Sequence, residues 1–256
     1  MIHSRRQVMV GATGLLSGRV CAADRAPLIA AASSLKGLLD EFATEFERET
    51  GTKLRFVFGA TANLLRQIEQ GAPFELFLAA DEDSVQRLAA GGRLVSPPTV
   101  FARGRLSLVV PASSLLPLDQ GLAGLVPAIK AGVIGRFAIA NPELAPYGRA
   151  AQQTLQAAGL WEVLQPRLML AETITLAATL VASGGAPAGL TAASVLMLPG
   201  LARAVRSTPI AEDQHAPIRH AAAALTGATP AALAVLARFT APAQQARLAT
   251  HGFAAP

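Results

Sequence analysis

The chain is 256 residues long, 52% hydrophobic and 15% charged, with a mean hydropathy of +0.40, enough apolar material for one large core or two smaller ones. The pI of 10.3 overstates its basicity: 3 of the 22 basic residues (Arg5, Arg6 and Arg19) fall in a leader-like N-terminus, and the other 19 face 17 acidic ones. That near-balance, without a basic run interleaved with aromatics, argues against a nucleic-acid partner, and no stretch past the leader is long and apolar enough to span a bilayer.

Residues 1–23 read as a secretory signal peptide, with a basic start at Arg5-Arg6, an apolar middle from Val8 to Leu16 and small residues at Cys21-Ala22-Ala23. Cleavage near Ala23 and a periplasmic location are expected, and Ser4-Arg5-Arg6-Gln7-Val8-Met9 is compatible with the twin-arginine route. The lone Cys21 follows Arg19-Val20 and not a small residue, which disfavours lipidation. The mature chain then has neither disulfide nor thiolate.

An apolar run from Leu28 to Ala32 next meets Ser33-Ser34 and turns into an amphipathic helix, with Leu35, Leu38, Leu39, Phe42 and Phe46 at helical spacing. A serine here is a favoured helix cap, and the first-turn N–H groups with two hydroxyls also suit an anion. Three later stretches repeat the unit. Thr52 to Phe58 predicts a strand, followed by Gly59-Ala60 and a helix with Thr61 as its cap. Phe137 to Ala140 leads through Asn141–Gly148 into a helix started by Pro146. Leu168 to Ala171 leads through Glu172-Thr173-Ile174 into a helix ended by Gly184-Gly185. Four such turns can surround one small ligand.

Between these units, Pro73 to Ala80 predicts a buried strand, and Asp81-Glu82-Asp83 an acidic helix start in preference to a metal site. Arg105 to Val110 predicts a strand ending at Pro111, where the chain is expected to cross into a second lobe. Pro187 to Ala192 predicts another buried strand, Val205 to Ile210 leads to a polar stretch, and Pro217 to Leu225 returns the chain to the first lobe. Thr229-Pro230 starts a helix and the alanine-rich C-terminus supplies another. Alternating strands and helices point to an α/β fold with ligands at the carboxyl ends of the strands. His3, His215, His220 and His251 lack ligand spacing, so structural roles and no cation site are expected.

Ser33-Ser34-Leu35-Lys36 also fits the S-x-x-K pattern of serine acyl-transfer enzymes. Neither companion motif, S-D-N or K-T-G, occurs in the chain, and Lys36 falls on the helix face opposite the core leucines. No enzymatic activity is therefore expected.

The sequence resembles the periplasmic molybdate-binding receptors of bacterial ABC importers, which are type II periplasmic binding proteins. The motifs that carry the resemblance are Ala31-Ala32-Ser33-Ser34-Leu35, Leu65-Arg66-Gln67-Ile68-Glu69-Gln70-Gly71-Ala72-Pro73, Leu76-Phe77-Leu78-Ala79-Ala80-Asp81, Asn141-Pro142-Glu143 through Pro146-Tyr147-Gly148, Ala171-Glu172 and His251-Gly252-Phe253. The resemblance implies two lobes, 24–108 with 217–256 and 109–216, each a mixed, mostly parallel sheet flanked by helices, with the ligand in the cleft between them. It implies an oxyanion, molybdate or tungstate, held by the hydroxyls of Ser33, Ser34 and Thr61 and by the backbone N–H groups of Tyr147 and Ile174, without a contacting counter-charge. It further implies a monomer with no cofactor that delivers its ligand to an ABC permease at the inner membrane. Position 192 is alanine where some members place a ligand-binding tyrosine, so a same-fold receptor for another anion, such as sulfate or a small organic acid, stays open.

Overall fold

The computed structural model describes residues 26–256; the expected signal peptide lies outside the described residues. In chain order the first elements are β1 (Leu28–Ala32), α1 (Lys36–Thr50), β2 (Arg55–Gly59), α2 (Thr61–Glu69), β3 (Leu76–Ala79), α3 (Glu82–Ala90), β4 (Thr99–Gly104) and β5 (Leu106–Pro111). Then come α4 (Val126–Lys130), β6 (Phe137–Ala140), α5 (Pro146–Ala157), α6 (Trp161–Leu164), β7 (Leu168–Ala171), α7 (Ile174–Ala182) and β8 (Ala188–Ala192). The chain ends with α8 (Ala193–Leu196), α9 (Pro199–Ala202), β9 (Val205–Pro209), β10 (Ile218–Ala224), α10 (Pro230–Phe239) and α11 (Gln245–Thr250).

The strands form two five-stranded sheets, ordered β2-β1-β3-β10-β4 and β7-β6-β8-β5-β9. Each is mixed. In the first, β1 runs parallel to β2 and β3, while β10 is antiparallel to β3 and β4. In the second, β6 runs parallel to β7 and β8, while β5 is antiparallel to β8 and β9. Parallel strands joined by helices bring their carboxyl ends to one edge of the sheet, so the turns after β1, β2, β6 and β7 can face one another.

The chain crosses between the sheets at Arg105 and returns through 210–217. This corrects the expected boundary at 108/109, which falls inside β5, a strand that pairs along its length with β8 and β9 of the second sheet. β4, which the sequence reading missed, precedes the crossing. Its last residue, Gly104, has to be glycine, because a Cβ there would lie 2.2 Å from the Tyr147 hydroxyl.

Helical periodicity sets the packing. α1 buries Leu38, Leu39, Phe42 and Phe46 against the first sheet, each contributing about 1.5–3 kcal/mol from removal of apolar surface. It stops at Gly51, whose φ of +71° is the left-handed cap that glycine adopts without steric cost. Phe239 of α10 packs edge-on to Phe42 and Phe101, with ring centroids 5.3 and 5.1 Å apart, and so fastens the returning C-terminal segment to the first sheet.

Candidate functional site

After β1 the chain forms a tight 3-10 turn, Ser33–Leu35, before α1 begins. Ala32 stands at the cap position with extended backbone, and no side chain caps either helix start. The expected capping role of Ser33 and Ser34 is therefore corrected: the turn is entered one residue earlier, and both serines are already helical. Ser34 Oγ instead lies 3.2 Å from His220 Nε2, and Ser194 Oγ donates to the Ser34 carbonyl at 2.9 Å. Both serines are buried.

Thr61 is also corrected as a cap. Ala60 holds that position, and Thr61 is the first residue of α2. Its Oγ1 accepts from the Ala80 N–H at 3.1 Å, tying the turn after β2 to the end of β3. A hydroxyl that accepts in this way keeps its own proton to donate elsewhere.

Two turns face these from the second sheet. Pro146 opens α5 behind Ala145, so Tyr147 is the second helical residue, and its N–H is among the first-turn donors that lack an intrahelical acceptor. Gly148 lets this helix start press on the end of β6, since a Cβ there would lie 2.4 Å from the Ala140 carbonyl oxygen. Thr173 caps α7 by accepting from the Leu176 N–H at 3.1 Å, which makes Ile174 the first helical residue. Its N–H is likewise left for a partner outside the helix.

Ser33, Ser34, Thr61, Tyr147 and Ile174 all line one narrow cleft, together with Ala32, Gly59, Ala60, Ala80, Ala145 and Pro146. No charged side chain lines it. Around it the two lobes touch: Ala62 N–H donates to the Leu144 carbonyl at 3.1 Å, and Thr175 Oγ1 to the Ser33 carbonyl at 3.2 Å. Asn63 Nδ2 donates to Glu172 Oε1 at 2.7 Å, and Arg149 pairs with Asp81. Such a space, ringed by neutral donors and the positive ends of helices, suits a compact anion.

The Tyr147 side chain points away from solvent and is buried, where the sequence reading allowed a surface tyrosine. Its hydroxyl lies near Ser34 and Ser194, but forms no hydrogen bond of good geometry among the described residues. Burial pushes the phenol well above its usual pKa, so it stays neutral. His220, also fully buried, packs on the rings of Phe101, Tyr147 and Phe253. Burial lowers its pKa to about 4, against opposing contributions from the Ile218 carbonyl and Asp81, so its ring is neutral at pH 7. The sequence reading gave His220 no link to this site. The usable signal was strand alternation, which puts His220 on the same face as buried Ile218, with Arg219 outside.

Lys36 is half-exposed, pairs with Asp40 at 2.8 Å and lies over the Phe58 ring, so it does not reach into the cleft as an acyl-transfer lysine must. Asp81 caps α3 by accepting from the Ser84 N–H at 3.0 Å, the helix-start role expected of it.

Two α/β lobes joined at their edges, with strand-to-helix turns converging on the cleft between them, define a solute-binding receptor of the type II periplasmic class. The family described as bacterial extracellular solute-binding protein matches residues 27–254, and the chain belongs to it. It is 34% identical over 254 residues to the molybdate-binding protein ModA of Azotobacter vinelandii, spanning 98% of this chain and 97% of that one. It is 32% identical over 236 residues to ModA of Rhodobacter capsulatus, spanning 91% and 90%. Among solved structures, the periplasmic molybdate-binding protein of Azotobacter vinelandii superposes with a TM-score of 0.81 at 26% identity, covering 90% of this chain and 99% of that one.

Proposed function

We propose that the chain is a periplasmic receptor that captures molybdate or tungstate in the cleft between its lobes and delivers it to an ABC permease at the inner membrane. The observation that carries this reading is the convergence of four strand-to-helix turns on one small cleft without a charged lining, in a chain 34% identical along 98% of its length to a molybdate-binding protein. Ser33, Ser34 and Thr61 offer hydroxyls from one lobe, and Tyr147 and Ile174 offer backbone N–H groups from the other. A ligand bonded to both walls favours the closed form, which is the form a transporter can distinguish from the empty receptor.

A site made of donors discriminates by protonation as well as by size. The O–H of a protonated oxyanion finds no acceptor where every wall group donates, so a fully ionised dianion is preferred. The protein acts as a monomer, without cofactor or catalytic step. Thermal shifts on residues 24–256 test the assignment: molybdate and tungstate are expected to raise the melting temperature much more than sulfate or phosphate, because a ligand that binds only the folded state stabilises it. Equal shifts for all four, or none, contradict it. A dominant shift with sulfate supports the same-fold receptor for a smaller anion.

A further inference from the structure

Resting on the site proposed above, we infer that His220 is a positioning residue for Ser34, holding the serine oxygen from an Nε2–H so that the only hydroxyl proton of Ser34 is aimed into the cleft when an anion is bound.

The geometry leaves His220 two neutral forms. Nδ1 lies 3.4 Å from the Ile218 carbonyl oxygen, and Nε2 lies 3.2 Å from Ser34 Oγ. With the proton on Nδ1, Nε2 is an acceptor, and the one polar hydrogen of Ser34 is spent on it. With the proton on Nε2, the imidazole donates, Ser34 accepts, and the serine proton is free for the ligand. The donation given up at Nδ1, 3.4 Å from the Ile218 oxygen, is long and therefore weak, and the acceptor-to-acceptor contact it leaves is the cost that the bound anion has to offset. A dianion on the cleft side of Ser34 strengthens the hydrogen bond it receives, because charge-assisted bonds are about twice as strong as neutral ones, so binding selects the second form.

The surroundings keep this choice between neutral forms. His220 has no exposed surface, and the rings of Phe101, Tyr147 and Phe253 box it in. The titratable groups that bear on it are the neutral Tyr147 phenol and Asp81, whose carboxylate is already engaged by Arg149 and the Ser84 N–H. Ser34 is held from a second side through its carbonyl by Ser194, so the direction of its hydroxyl is the freedom that remains. Nδ1 faces a carbonyl and not a carboxylate, so the Ser34–His220 pair lacks the third group that would make it a nucleophile and base.

Nitrogen-15 NMR of the histidine rings in the mature chain, with saturating molybdate, reads the form directly. A protonated Nε2 with a bare Nδ1 at His220 is expected; a protonated Nδ1 with a bare Nε2, or a doubly protonated ring, overturns the inference. This measurement needs no variant, so it stands if a substitution fails to fold. Calorimetry supplies the second arm. His220→Met is expected to weaken molybdate binding about tenfold, and His220→Gln, whose amide places a donor near the Nε2 position, to restore it to within about threefold of the wild type. In a Ser34→Ala background His220→Met is expected to add nothing. Equal losses in the Met and Gln variants, or full additivity with Ser34→Ala, overturn the inference. A wild-type protein that binds none of molybdate, tungstate, sulfate or phosphate overturns the proposed site as well, whereas binding with the wrong ring form sinks this inference alone.

Discussion

In the proposed site the two walls of the cleft bring hydrogen-bond donors to the same small space by different means. On the first lobe Ser33, Ser34 and Thr61 present hydroxyls, whose directions depend on a second layer of hydrogen bonds: His220 behind Ser34 and the Ala80 N–H behind Thr61. On the second lobe Tyr147 and Ile174 present backbone N–H groups, whose directions are fixed once Pro146 and Thr173 start their helices. A hydroxyl wall is thus open to tuning by side-chain substitution. A backbone wall tolerates almost any side chain and fails only when the helix start itself is altered.

The largest expected effect comes from stripping the hydroxyl wall. Each charge-assisted bond to a dianion is worth about 1.5–3 kcal/mol, so Ser34→Ala with Thr61→Ala is expected to weaken molybdate binding by about two to four orders of magnitude in calorimetry. Neither hydroxyl caps a helix, so the loss of stability from a missing cap does not arise. Thr61→Ala does leave the Ala80 N–H without its acceptor, at a cost of about 1–3 kcal/mol in folding, which urea denaturation of the ligand-free protein measures separately. Binding within threefold of the wild type in the double variant would remove the hydroxyl wall from the site.

The backbone wall is broken by deleting an N–H. Ile174 occupies the first helical position of α7, where proline is tolerated, and Thr173 before it has φ −123° and ψ 157°, a conformation compatible with a following proline. Ile174→Pro is expected to lower molybdate affinity about tenfold to a hundredfold, whereas Ile174→Val, which keeps the N–H, is expected to bind within a few-fold of the wild type. Similar affinities for the two variants would show that the side chain, and not the N–H, is what matters there.

The hydroxyl wall also has a titrating group behind it. The folded pKa of His220, about 4, lies below the ordinary 6.5, so between these values the unfolded chain binds a proton that the folded chain does not. Its contribution is complete above about pH 6.5 and is lost as pH falls toward 4. Between pH 7 and 5 this amounts to about 2 kcal/mol of stability, and the drop is expected to shrink by that amount in His220→Gln, as followed by urea midpoints at the two pH values. An unchanged pH dependence in the variant would mean that His220 takes up its proton over the same pH range in the folded protein as in the unfolded chain.

Much of this arrangement was legible because it is written locally. Leu38, Leu39, Phe42 and Phe46 announce α1 by spacing alone, and the four strand-to-helix turns follow from apolar runs ending at small or polar residues. β4 escaped because Arg103 and Gly104 break its apolar pattern just after Pro97-Pro98. The capping roles expected of Ser33 and Thr61 failed because each helix begins one residue early, and whether a serine caps a helix or enters it is decided by backbone angles that composition does not encode. The Ser34–His220 contact joins residues 186 positions apart, and such a pairing exists only once β10 has returned to the first sheet beside β3.

The smallest expected effect is the sharpest test of the difference between the walls. In the proposed site Tyr147 contributes only its N–H, while its side chain runs behind the cleft to Gly104 and His220. The hydroxyl is buried without a good partner, so it has been taken from water with little in return, and a group of that kind lowers stability. Tyr147→Phe removes it and keeps both the ring packing and the backbone. Folding stability is expected to stay level or rise by up to about 1 kcal/mol, and molybdate affinity to change by less than threefold. The same kind of change, loss of one hydroxyl, is expected to cost tenfold or more at Ser34. A tenfold loss of affinity in Tyr147→Phe would instead place the phenol in the hydrogen-bonded group of Ser34, Ser194 and His220, and the second wall would then depend on its side chains as the first one does.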